Sequence, residues 1–420
     1  MFNNTFPRAD DIRIIVNGAL QDVLKLDIAY FSAIEYAGTA QIEIFVKCEK
    51  IKISPKRENI QFLRTKTGFS FSLTRNMNII IQLDDIQLFL YGNKPESKNI
   101  SATYHFKSGK IYEMGEIRLN DNENIYIEGG SIVRGKITAV SAKNIKIEGP
   151  GIIDNSFYKS DDIKSKTIYL KDCKNVTISD IILIEPQSWM VVLAGCTNVK
   201  INNLKELGEV ISSDGIDIVG SNNIIIENSI FRNNDDCIAV KYIELESQTD
   251  SKLLKPIHDI LVQNCIMFNS SAGNAMEIGH ELRCTEVNDI VFKNIDIIRI
   301  DGYGAAFSIH AGDQAVVHNI LYENIYVEHY YDKLIDFRVM CSRFNLSPER
   351  GKIENIRLKN IFVTQSIYNP GYSVSLIGGY DDNHAVNGIH FENFCLDGKK
   401  VKSNNMLDLH TKNAFNITYI

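Results

Sequence analysis

The sequence predicts an all-β chain, a right-handed parallel β-helix preceded by a small β-sandwich domain. Three observations carry the prediction. From about residue 140 onward, a short strand-like pattern returns every 23 to 36 residues or so, and self-similarity at such a period marks a solenoid. Each copy alternates apolar with polar side chains and no 3.6-residue periodicity accompanies it, which excludes solenoids built with helices. The first hundred residues also alternate, in runs that lack the repeat.

The copies read KNIKIEG from Lys143, KNVTISD from Lys174, TNVKINN from Thr197, NNIIIEN from Asn222, HDILVQN from His258, NDIVFKN from Asn288, HNILYEN from His318, ENIRLKN from Glu354 and NGIHFEN from Asn387. An alternating segment buries one face of an extended strand. One coil of about three short strands cannot cover its own apolar side, but stacked coils make a continuous core. Asparagine recurs at the edges of the copies, where left-handed turns and side-chain ladders suit it.

The N-terminal runs IRIIVNG, AQIEIFVK, KIKISP, FSFSLT, NIIIQLD and IQLFLYG predict an antiparallel sandwich that caps the N-terminal end of the solenoid. The expected division is residues 1–98 for the sandwich and 99–420 for the β-helix, with a linker at Asn93 to Asn99. The segment that follows, HFKSGKIYEMGEIRLNDNENIYIEGGSIVRGKI, supplies the first coils.

Composition narrows the partners. With 420 residues, 44% of them hydrophobic and 23% charged, and a net charge of −7, the chain can bury a large core, and its charge argues against nucleic acid or an anionic membrane as a partner, since either would want a basic face. No apolar run approaches the roughly 20 residues that span a bilayer. A neutral polymer fits this balance, whereas a polyanion would need a local basic groove. The opening residues MFNNTFPRADD hold no apolar leader core. The expectation is a cytoplasmic protein, with removal of a leader as the alternative. The eight cysteines form no CxxC pair and are expected as reduced, buried thiols. No cofactor or metal is expected.

The chemistry concentrates between Ser212 and Lys241. Asp214 and Asp235 are 21 residues apart, close to the shortest coil, and residues one coil apart lie on adjacent strands about 4.8 Å from each other. Asp214, Asp235 and Asp236 should therefore share one surface. Three crowded carboxyls repel one another, and at least one should hold its proton to unusually high pH. Two uses follow: hydrolysis of a glycosidic bond, which needs one protonated and one ionised carboxyl, or binding of a hard cation such as calcium.

These residues also carry a family resemblance. Asp214-Gly215-Ile216-Asp217, then Asp235-Asp236-Cys237, then the segment Gly273 to Gly279, with Pro186 to Trp189 one coil earlier, resembles the motif series of glycoside hydrolase family 28, the polygalacturonase family with its pectin-lyase-like solenoid. The resemblance runs from about Ser108 to Glu323. It implies Asp235 as general acid, Asp214 and Asp236 as the pair that positions and deprotonates water, and inversion at the anomeric carbon. An inverting acid and base lie about 6.5–9.5 Å apart.

Departures from the motifs point to the substrate. Ser212-Ser213-Asp214 stands where the family reads Asn-Thr-Asp. Asn274 takes the place of the Gly-His-Gly histidine, and Ser308 and His310 replace the arginine and lysine of Arg-Ile-Lys. A serine is neutral and an ordinary histidine only partly charged at pH 7, so a sugar other than plain galacturonate is expected. Candidate substrate contacts are Trp189 as a stacking platform, Asn274, Glu277 and Glu281 on the groove side of their strand, Arg283 paired to one of them or to substrate, and Ser308 and His310. Alternation along that strand places His280 on the opposite face, with Met276 and Ile278. Tyr303 could shape the other end of the groove, and the insertion from Tyr242 to His258 is expected to form a wall.

A leading sandwich and the neutral Ser308–His310 segment also resemble glycoside hydrolase family 49, the dextranase and isopullulanase group. A calcium-dependent polysaccharide lyase and a non-catalytic glycan-binding β-helix remain the readings from other classes.

Overall fold

A computed structural model describes residues 6–96, 100–159, 165–243, 255–345, 347–365 and 374–420. The strands from Tyr104–Phe106 to Ala414–Tyr419 join one parallel ladder in which each strand pairs with its counterpart a coil away. This is the expected parallel β-helix. The repeats explain it residue by residue. The apolar third position of each copy lies in register with the next, from Ile145 through Val176, Val199 and Ile224 to Ile260 and Ile290, and these side chains are buried in a single core.

Asparagine does what its backbone tolerance allows. Asn144, Asn175, Asn198 and Asn223 all adopt left-handed φ values between 56° and 59°, a conformation that costs most other residues about 1–2 kcal/mol. Their amides also stack, with Asn175 donating to Asn144 at 2.9 Å and Asn198 to Asn175 at 2.7 Å. A second ladder climbs another corner through Asn264, Asn294, Asn324 and Asn360. Each coil end thus satisfies its own polar groups through its neighbour.

The N-terminal residues form two five-stranded sheets facing each other. One pair is parallel, Ile86–Asn93 against Tyr30–Glu35, and the other pairings are antiparallel. The sandwich does not cap the end of the solenoid as the sequence suggested. It lies along the side, where Phe31, Phe89 and Tyr91 pack in one cluster with Ile152, Ile182, Leu207, Ile230 and Phe268 of successive coils. The physical reason is readable in those coils. Ile152–Asp154 and Ile182–Ile184 are buried on both faces, so their outward side chains need a partner surface. Polar clamps fasten the far end: Arg57 binds Asp296 with contacts of 2.6 and 2.9 Å, and Ser54 donates to Glu328 at 2.9 Å.

The expected boundary at residue 98 and most of the Tyr242–His258 insertion lie outside the described residues. Cys173, Cys196, Cys237, Cys265 and Cys284 are buried free thiols. Among the described residues no helix is long and apolar enough to cross a membrane.

Candidate active site

One side of the solenoid is built from Val191–Ala194, Ile216–Val219, Ile238–Tyr242, Met276–Leu282, Ala305–Ala311 and Lys333–Val339, paired in that order. Alternation sends Ile216, Ile238, Met276 and Phe307 into the core. The outward column then reads Val192, Asp217, Ala239, Glu277, Ser308, Asp336. Function has to come from this column and from the turns that precede the strands.

The aspartates occupy those turns. Counting back from the Ile216–Ile238 pair sets Asp214 level with Asp236, and the Gly215 amide donates to the Asp236 carbonyl at 2.8 Å. Asp236, not Asp235, is therefore the coil neighbour of Asp214, and Asp235 stands one position off the column. Asp214, Asp235 and Asp236 each offer a carboxylate oxygen within 4.8 Å of the others. Gly273, one coil on, packs flat against them: a Cβ there would lie 2.2 Å from the Asp235 carbonyl carbon and 2.3 Å from the Asp236 nitrogen. At φ 73° the position also favours glycine.

The three acids are not equivalent. Asp214 and Asp236 are buried, while Asp235 is half-buried and open to a ligand. Asn274 donates to Asp236 Oδ1 from its backbone nitrogen at 2.7 Å and from its side chain at 2.9 Å, and the Asn274 Oδ1 accepts from Ala305 at 2.8 Å. Asn274 is thus a bracket for Asp236. Burial, and then the charge of Asp214, pushes the Asp235 carboxyl up to about 6. Asp236 is also raised, by burial and by the nearby carboxylates of Glu277, Asp235 and Asp214. The cluster consequently keeps a proton at pH values where an isolated aspartate has lost it.

Lys241 lies on the other side of Asp214. Its ammonium is 3.1 Å from Asp214 Oδ2 and 2.7 Å from Asp217 Oδ1. Burial opposes its charge, but these two carboxylates hold its proton well above the ordinary lysine range. The Trp189 ring centroid is 4.4 Å from this ammonium and 5.3 Å from that of Lys166. Trp189 packs with Tyr169, Val192 and Val219, so its π-surface is occupied by cations and it is not the open platform expected from the sequence.

Further along the column stands a second polar group. His310 Nδ1 is 2.9 Å from Glu277 Oε1 and 3.1 Å from Ser308 Oγ. Its Nε2 is 3.3 Å from Asp336 Oδ2, which also accepts from Arg338 Nη2 at 2.8 Å. Burial alone would lower the imidazole, yet Glu277 and Asp336 push it up to about 10. His310 is therefore a full cation at pH 7, against the partial charge expected from an ordinary histidine. Glu277 and Ser308 are sealed from solvent, so they hold His310 and do not face a sugar. This corrects their assignment as direct contacts.

His280 also departs from expectation. The register passes from Val240–Ile278 to Tyr242–Leu282, so three residues bulge opposite one, while Ile278 and Leu282 on either side both stay in the core. His280 swings to the groove side, where its ring stacks on His310 at 4.4 Å between centroids and 14° between planes. Glu281 is half-exposed, its carboxyl raised by burial and opposed by Lys241. Arg283 follows the strand, half-buried, with its amide donating to the Tyr242 carbonyl at 3.3 Å. Tyr303, in the turn before Ala305–Ala311, is 74% exposed and lies along the same edge as the aspartates.

Among the described residues, two groups meet the distance requirement for holding a metal: the three aspartates, and Glu277 with His280 and His310. The second fits an ion poorly, because two near-parallel stacked rings cannot both hold one ion in their planes and both His310 nitrogens already face carboxylates. The first has the Lys241 ammonium within 3.1 Å of one of its members, where a second cation would be repelled. Asp217, Lys241, His280, Asp336 and Arg338 had no assigned role in the sequence. Asp217 was visible in the DGID motif, but nothing short of the coil register could link Arg338 to His310, one coil earlier.

The profile of the family described as Glycosyl hydrolases family 28 matches residues 95–414. Polygalacturonase QRT2 of Arabidopsis thaliana is 26% identical over 274 residues, 61% of this chain and 58% of that protein. The exopolygalacturonase of Cochliobolus carbonum is 28% identical over 272 residues, 56% of this chain and 57% of that protein. The chain thus matches under two thirds of the length of either relative. Among solved structures, Dex49A from Penicillium minioluteum superposes with a TM-score of 0.72 at 12% identity, covering 98% of this chain and 95% of that one. The family 28 exopolygalacturonase of Yersinia enterocolitica superposes at 0.56 with 13% identity, covering 98% and 90%.

Proposed function

The chain belongs to glycosyl hydrolases family 28, and from that premise we propose that it is an inverting hydrolase of an oligo- or polysaccharide other than plain polygalacturonate. One observation supports this most: three carboxyls gather on one edge, and the accessible one, Asp235, is raised to about 6. In the proposed reaction Asp235 gives its proton to the glycosidic oxygen as that bond breaks. Asp214 and Asp236 hold a water against the anomeric carbon and take up its proton. Asn274 keeps Asp236 oriented, and Tyr303 is the aromatic surface for a neighbouring sugar.

The charge pattern speaks for the substrate. Lys241, His310 and Arg338 each already bind one or two carboxylates, and Glu281 and Asp235 add acidity. A uronate carboxylate would enter a groove whose described cations are largely compensated, so a neutral sugar, such as a glucan of the family 49 kind, fits better. Lys241 is locked as a cation and supplies no base for a lyase reaction.

The nearest oxygens of the acids lie within 4.8 Å of one another, an approach that the carboxyls of a retaining pair, about 5–5.5 Å apart, also give. A second reading is therefore a retaining double displacement. Hydrolysis of a panel of plant, algal and microbial glycans, with the first-formed anomer followed by proton NMR, separates the two. Inversion upholds the proposal and retention replaces it. Failure to cleave any neutral glycan while cleaving polygalacturonate refutes the substrate assignment.

A further inference from the structure

Lys241 is an expensive residue with no task in the scheme above. Its side chain is 7% exposed and its partners Asp214 and Asp217 are 4% and 0% exposed. Desolvating such ions costs several kcal/mol each, and well-packed apolar replacements of buried pairs are often at least as stable. Fold stability alone is thus a poor reason for a lysine here.

Its surroundings suggest another. Asp214 and Asp217 face it from the preceding coil, and Asp236 acts on it from its own turn. Its charge lowers Asp235 in that turn, and it acts on His280 and Glu281 in the following coil. Lys166 lies across the Trp189 ring. Carboxyls dominate this circle, and among the described residues Lys241 is the cation bonded directly to one of the three clustered aspartates.

We propose that Lys241 is a positioning residue for hydrolysis: its ammonium, 2.7 Å from Asp217 Oδ1 and 3.1 Å from Asp214 Oδ2, holds the Asp214 carboxyl in place as the group that activates water, with Asp235 beside it as the acid. The proposal rests on the hydrolase reading and deepens it. The proton account balances. Asp235 loses a proton to the glycosidic oxygen, which takes the electron pair of the breaking C–O bond. Water oxygen bonds to the anomeric carbon and its proton passes to Asp214. Lys241 keeps all three of its protons throughout.

The test uses the full chain with Lys241→Gln and with Lys241→Gln/Asp217→Asn. The double variant removes the buried ammonium together with its counter-charge, which preserves the fold if the single variant fails to fold. Two quantities are read: the pH dependence of kcat and KM on a glycan the wild type cleaves, and the carbon-13 NMR titration of the Asp235 carboxyl, assigned by its loss in Asp235→Asn. Without the ammonium, Asp235 should hold its proton to a pH about one unit higher, as expected for losing one adjacent charge. The kcat should fall about ten-fold or more, with KM changed less than two-fold or so. A folded variant with the wild-type Asp235 titration overturns the proposal, and so does a shifted titration with unchanged kcat. The titration needs no turnover. If the wild type cleaves no glycan, the hydrolase reading fails by itself while the titration still decides whether Lys241 sets the charge of the cluster.

Discussion

Two polar groups share one face of the solenoid and are built on opposite electrostatic plans. In the first, Asp214, Asp235 and Asp236 crowd like charges together, and burial with mutual repulsion leaves two of them raised. In the second, Glu277, His310, Asp336 and Arg338 alternate in sign, and each ionised group finds a counter-ion within 3.3 Å. The backbone offers both the same parallel ladder. Sequence alone makes one a strained reservoir of protons and the other a satisfied network. Strain of the first kind is what acid–base chemistry uses, and compensation of the second kind is what holds a groove wall still.

The sharpest way to break that contrast is Asp235→Asn. Loss of the general acid should lower kcat by about 10²- to 10⁴-fold, measured on any glycan that the wild type cleaves, with no loss of melting temperature. A variant that retains turnover would place the acid elsewhere.

Next comes the network. Glu277→Ala or His310→Gln leaves a buried charge without its partner and should cost about 3–5 kcal/mol of stability, read by denaturant unfolding. Its pH dependence has a definite sign. His310 is raised to about 10 in the folded chain, above the roughly 6.5 of an unfolded one. Its stabilisation is complete below the lower value and disappears as pH rises through the higher. Wild-type melting temperature should therefore decline between pH 7 and 10, while His310→Gln loses that part of the decline.

The smallest effect sharpens the contrast from the other side. Asp235 is raised to about 6 when folded against about 3.9 unfolded, so its protonated form favours folding at low pH and that benefit is lost as pH climbs past 6. Asp235→Asn should thus gain about 1–2 kcal/mol at pH 7, discounted for its partial exposure, and nothing at pH 3.5. Equal stability of the two proteins at both pH values would show that the aspartates do not strain the fold.

Much of this was legible in the chain itself. The asparagines at the edges of the repeats, Asn144, Asn175 and Asn198 among them, signalled left-handed corners because few other residues tolerate them, and they are where the coils turn. Asp214 and Asp235–Asp236 could be paired because their spacing nearly equals a coil. What stayed hidden depended on packing. The slip of a single position that sets Asp214 against Asp236 instead of Asp235 is below what repeat spacing resolves. The bulge that turns His280 outward has no motif of its own. The charge of His310 follows from the carboxylates of Glu277 and Asp336, brought to it from the coil before and the coil after, inside a site it cannot leave. The lateral seat of the sandwich was readable only in retrospect, from strands such as Ile182–Ile184 that are apolar on both faces.

Trp189 is the sole indole in the chain, and it rests against the ammonium that binds Asp214. Indole emission responds to a charge held this close, so the molecule carries a single intrinsic fluorophore tuned to the state of its own acid cluster. Ordinary steady-state spectroscopy, without labelling, should then follow proton uptake, ligand entry and product departure as shifts in one band.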